Sequence, residues 1–104
     1  MTERIRVLLA DDHNVVRAGL HAVLATEPDL AVVGEGATAE EAVRLAAAGD
    51  VDVVLMDLQF GDGMDGATAT AAITAAADAP RVLVLTTYDA DADILAAIEA
   101  GASG

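Results

Sequence analysis

Four short runs of the chain are almost wholly apolar, and between them the apolar residues recur at helical spacing. "IRVLLA" (5–10), "LAVVGE" (30–35), "VDVVLMD" (51–57) and "RVLVLT" (81–86) are rich in Val and Leu and bounded by acids, Gly or Pro, as strands buried on both faces are. Over 13–27, Val16, Leu20, Val23 and Leu24 fall at i, i+4, i+7 and i+8, which predicts a helix with one core-facing stripe. Thr38 followed by Glu41 is a capping box; Ala42, Leu45 and Ala46 then supply a core face, and Gly49 stops that helix. A third helix, from Asp65 to Ala77, is Ala-rich with Ile73 as its one large apolar residue, and Asp78 to Pro80 end it. A fourth is predicted over 91–100, presenting Ile94, Leu95 and Ile98 and closed by Gly101.

Strict alternation of strand and helix predicts parallel strands joined by right-handed crossovers, hence an open, doubly wound α/β sheet with helices on both faces. In such a sheet every strand ends at the same edge, where ligands bind. Asp11 and Asp12 follow the first strand, Asp57 ends the third, and Thr86 and Thr87 end the fourth. The topology therefore gathers residues that are far apart in sequence.

Composition narrows the class. The 104 residues suit one domain, and the 55% hydrophobic content is mostly aliphatic, with Tyr88 and Phe60 as the aromatics. A formal charge of −13 repels nucleic acid and anionic lipid, so direct DNA binding by this segment is not expected. The sequence has no cysteine, which removes disulfides and thiolate metal sites. No apolar run approaches the ~20 residues that span a bilayer, and the expected location is cytoplasmic.

The acids at the sheet edge are the strongest chemical signal. Three carboxylates brought together repel one another, and the cluster calls for a cation. A hard ion bound through oxygen, such as Mg²⁺, suits it. An aspartate beside such an ion is a known route to an acyl phosphate, with the carboxylate attacking in line. A hydroxyl at the next strand end, Thr86, is placed to bond the transferred group.

These motifs resemble the receiver domain of bacterial two-component response regulators. "VLLADDH" is similar to its first strand and acid pair, "VVLMDLQFGDGMDG" to its phosphoacceptor strand and loop, and "RVLVLTTYD" to its fourth strand with the switch hydroxyl. "AIEAGASG" resembles the segment leading into the fifth strand, so the likeness covers essentially the whole chain. It implies a flavodoxin-like sheet of order 2-1-3-4 with the fifth strand absent from these residues. It further implies that Asp57 accepts a phosphoryl group from a histidine kinase. Asp11 and Asp12, with Asp57 and the backbone carbonyl of Gln59, would hold Mg²⁺, and Thr86 would grip the phosphoryl group. "ADDHNVVRAGL" and "LTTYD" resemble the NarL/FixJ subgroup, whose LuxR-type output domain binds DNA. The resemblance thus implies a switch in transcription regulation rather than an enzyme, with DNA reached only through a C-terminal domain outside residues 1–104; a homodimer is one possible partner state, for which the fourth helix and the fourth-strand edge are the candidate surfaces.

In the family, an aromatic switch residue, a fifth strand and a lysine follow the segment matched by "GASG". Here the residues end at Gly104 and include no lysine, and the expectation is a receiver domain that is C-terminally incomplete. Two other readings stay open on the residues alone. One is a phosphohydrolase with an aspartyl-phosphate intermediate, against which stands Gln59 where such enzymes place a second Asp. The other is a phosphorylation-independent interaction module. "GEGATA" (34–39) fits a dinucleotide fingerprint but follows the second strand rather than the first, and Thr38 is accounted for as a cap. His13 is read as a helix-entrance residue, with ligand or proton shuttle as the alternative. His21 is placed on the surface, and Arg17 beside nearby acids in a weak surface pair.

Overall fold

A computed structural model describes residues 4–57, 60, 63–85 and 101. The elements run β1 (Ile5–Ala10), α1 (Asn14–Ala25), β2 (Leu30–Gly36), α2 (Ala39–Ala47), β3 (Val53–Asp57), α3 (Gly66–Thr74) and β4 (Arg81–Leu85). All three strand pairings are parallel and the sheet order is β2-β1-β3-β4, as predicted. The helix expected over 91–100 lies outside the described residues.

This order decides which helix covers which face. Passing from β1 to β2 moves one way across the sheet, whereas β2 to β3 and β3 to β4 move the other way. With right-handed crossovers, α1 lies on one face while α2 and α3 share the opposite one. Along β1 and β3 the even positions Leu8, Ala10, Val54 and Met56, with Val82 of β4, pack against Ala39, Ala42, Ala46, Ala69 and Ile73 of α2 and α3. Alanines bring these helices close to the sheet, and a glycine permits the closest approach: a Cβ on Gly36 would stand 3.1 Å from the backbone nitrogen of Ala42.

The α1 stripe is only partly the core face that its spacing predicts. Leu20 and Leu24 are half-buried, but Val16 and Val23 are 41% and 65% exposed, and α1 contains no buried residue. The periodicity is right, but among the described residues α1 is the one helix on its side of the sheet, and it packs against β1 and β2.

Element ends differ from the sequence reading for local reasons. At the start of β3, Asp52 turns its carboxylate onto Arg6, accepting from the backbone N–H at 2.8 Å and from the guanidinium at 3.1 and 3.0 Å. Its pKa falls from 3.8 to about 2, chiefly through the side-chain hydrogen bond from Arg6. The capping box of α2 forms with a shift: Thr38 accepts from Glu41 N–H, while the Glu41 carboxylate reaches back to the N–H of Ala37. Helix α3 stops at Thr74, three residues early, as Ala76 N–H bonds the carbonyl of Ile73 and tightens the last turn.

Candidate functional site

The register of β1 against β3 builds the site. Ala10 is level with Met56, so the next residues, Asp11 and Asp57, stand side by side with the same side-chain parity. Both point to the α1 face, since Ala10 and Met56 belong to the core under α2 and α3. The β1–β3 boundary is also where the chain reverses its direction of winding, the place where such sheets open a crevice. The Asp11 and Asp57 side chains are only 10% and 13% exposed, so they are held rather than free in water.

The β1–α1 turn completes the cluster. Asp11 N–H bonds the carbonyl of Gly36 at 3.1 Å, extending the ladder one residue beyond the strand. Asp11 Oδ1 accepts the backbone N–H of His13 at 2.7 Å, which closes the turn and sets the entrance of α1. The His13 ring then folds back over the acids: its Nδ1 lies 2.9 Å from Asp11 Oδ1, 2.8 Å from Asp12 Oδ1 and 3.9 Å from Asp57 Oδ2. The hydrogen bond with Asp11, followed by the charge of Asp12, raises the His13 pKa above its ordinary value. One ligand atom from each of Asp11, Asp12, His13 and Asp57 falls within 4.8 Å of all the others.

Two supports were not legible as such in the sequence. Arg17 is no loose surface pair: its side chain is 15% exposed and its Nη1 donates to the carbonyl of Asp11 at 2.7 Å. It also bonds Asn14 Oδ1 at 2.6 Å and Glu35 Oε1 at 3.3 Å, tying the acid turn to α1 and to β2. The signal that could have found it is its place four residues after His13, one helical turn above the acid pair. Glu40 of α2 accepts the backbone N–H of Met64 at 3.1 Å and so anchors the β3–α3 loop. His21 is indeed at the surface, 48% exposed, with its ring 3.1 Å from Glu35 Oε2.

Of the expected site residues, the fold brings Asp11, Asp12 and Asp57 together and adds His13. Gln59 and Thr86 lie outside the described residues, as do Thr87 and Tyr88. Leu85, the residue before Thr86, is the partner of Asp57 in the β3–β4 register.

The chain is similar to known proteins over nearly its whole length. The profile of the response regulator receiver domain matches residues 7–104. The chain is 48% identical over 98 residues to the transcriptional regulatory protein LiaR of Bacillus subtilis, a match covering 94% of this chain and 46% of that protein. It is 42% identical over 97 residues to the response regulator protein VraR of Staphylococcus aureus, covering 93% and 46%. The chain thus spans about half the length of these relatives. A crystal structure of a two-component response regulator of the LuxR family from Aurantimonas superposes with a TM-score of 0.89 at 41% identity, covering 98% of this chain and 72% of that one.

Proposed function

The chain belongs to the response regulator receiver domain family, and from that premise we propose that Asp57 is its phosphoacceptor. The observation that carries the reading is the side-by-side placement of the Asp11 and Asp57 carboxylates, both nearly covered, at the edge where β1 and β3 end. An oxygen of Asp57 attacks the phosphorus of a phosphohistidine on a sensor kinase. The new O–P bond forms as the P–N bond breaks, and the electron pair leaves on the imidazole nitrogen, which takes up a proton.

The donor set fits a divalent ion: three carboxylates offer hard oxygens inside a 4.8 Å span. Asp11 and Asp12, with Asp57 and the Gln59 carbonyl, are the proposed holders of Mg²⁺. When bound, the ion offsets negative charge on the phosphoryl oxygens. Arg17 keeps the Asp11 backbone in place, and the Thr86 hydroxyl is the proposed grip on the transferred group and the origin of the switch. The reading includes a sensor histidine kinase as donor, a cytoplasmic location, pairing of two copies on activation, and a DNA-binding output that regulates transcription in the whole protein. Among the described residues no helix is long and apolar enough to cross a membrane.

Incubation with Mg²⁺ and a small acyl phosphate, followed by intact mass measurement, tests the reading. One Mg²⁺-dependent phosphoryl adduct, lost in Asp57→Asn, is the expected result. Continuous release of phosphate over many turnovers would identify a phosphohydrolase instead. A wild-type chain that takes up no phosphoryl group overturns the proposal.

A further inference from the structure

His13 faces the acids rather than its own helix. It is the N-cap residue of α1, yet its side chain makes no capping bond to that helix. Its backbone position is fixed by the 2.7 Å bond to Asp11 Oδ1, and the ring, 63% exposed, lies against the acids. In octahedral coordination with bonds of about 2.1 Å, adjacent donors stand about 3.0 Å apart and opposite donors about 4.2 Å apart. His13 Nδ1 stands 2.9 and 2.8 Å from Asp11 Oδ1 and Asp12 Oδ1, and 3.9 Å from Asp57 Oδ2. Those spacings suit a donor adjacent to two carboxylates and nearly across from the third.

We infer that His13 Nδ1 is a ligand of the cation held by the acid cluster, and that this nitrogen widens the site from Mg²⁺ to transition ions such as Mn²⁺ and Co²⁺. The inference rests on the reading of the cluster as a cation site. Carboxylates alone suit hard ions, whereas an imidazole adds most to the affinity for ions later in the first transition row and least to that for Mg²⁺. A phosphoacceptor site with one nitrogen donor therefore responds to which divalent ion is available. The ring lies on the solvent side of the cluster, so it can be removed without opening the core.

The test uses the full chain and the ions themselves. Mn²⁺-loaded protein is examined by pulsed electron paramagnetic resonance, and Mn²⁺, Co²⁺ and Mg²⁺ affinities are measured by calorimetry at about pH 8, since a ligating imidazole is neutral. Wild type is expected to show the coupling of a directly bound imidazole nitrogen, absent in His13→Ser, a variant that retains a good N-cap residue. His13→Ser is expected to weaken Mn²⁺ and Co²⁺ by about tenfold or more, since even outer partners of ligands contribute that much, while Mg²⁺ changes far less. Mn²⁺ bound without nitrogen coupling overturns the inference and leaves the carboxylate site standing. Tighter binding of all three ions by His13→Ser also overturns it, showing the ring to be a hydrogen-bonding plug that ions must displace. If no ion binds to wild type, the cation-site reading falls as well, a result separable from phosphoryl uptake by the mass measurement.

Discussion

The two faces of the sheet carry similar aliphatic residues and meet different fates. Under α2 and α3, Leu8, Val54, Met56, Val82, Ala69 and Ile73 are all at most 4% exposed. On the α1 face, Val7 and Leu9 of the central strand are buried, but Leu83 and Leu85 at the β4 edge are 39% and 38% exposed. Among the described residues, two Ala-rich helices cover one face, whereas the other carries α1 over β1 and β2. Among the described residues burial therefore follows the routing of the chain and not hydrophobicity alone, and Asp11 and Asp57 point to the less covered face.

Substitutions on the two faces test this contrast. The largest loss is expected for Ile73→Ala, about 2–5 kcal/mol in denaturant unfolding, because it empties a site sealed between α3 and the sheet. Gly36→Ala should cost about 1–3 kcal/mol, since the new methyl meets backbone of α2 that cannot swing aside. Asp65→Ala should cost about 1 kcal/mol at neutral pH by removing the N-cap of α3, in which Asp65 Oδ1 accepts Thr68 N–H at 2.7 Å. That hydrogen bond from the Thr68 backbone lowers the Asp65 pKa. The cap's contribution is therefore complete above the unfolded aspartate pKa of about 3.9 and is lost as pH falls through the lower folded value. Unfolding curves of wild type and Asp65→Ala should accordingly converge on acidification. The smallest change is expected for Val23→Ser on the open face, within about 0.5 kcal/mol by the same measurement. A loss there as large as that for Ile73→Ala would show that the α1 stripe is sealed in solution and would undo the contrast.

Much of this was legible in residue pattern. Val- and Leu-rich runs located the four strands, Thr38 with Glu41 marked the start of α2, and Asp65 marked that of α3. The acid pair and Asp57 were identifiable as one cluster because parallel strands must end together. What could not be read was side-chain direction at the turn. His13 and Arg17 look like ordinary helix-entrance residues, and only the fold back over Asp11 makes one a face of the cluster and the other a brace. Likewise the helical spacing of Val16, Leu20, Val23 and Leu24 gave no hint that half of the stripe would stay exposed, because a period reports which residues share a side but not what lies against it.

The residue pattern alone settled the order of the described elements, the parallel sheet, the cap of α2 and the gathering of Asp11, Asp12 and Asp57 at one edge, since each depends on local propensity or on rules of chain connection. Packing in three dimensions decided the rest: the β1–β3 register that sets Asp11 beside Asp57, the routing that puts α1 on the face opposite α2 and α3, and the fold of His13 back onto the carboxylates. Those depend on contacts between residues distant along the chain, whose geometry is fixed only when the sheet and helices pack.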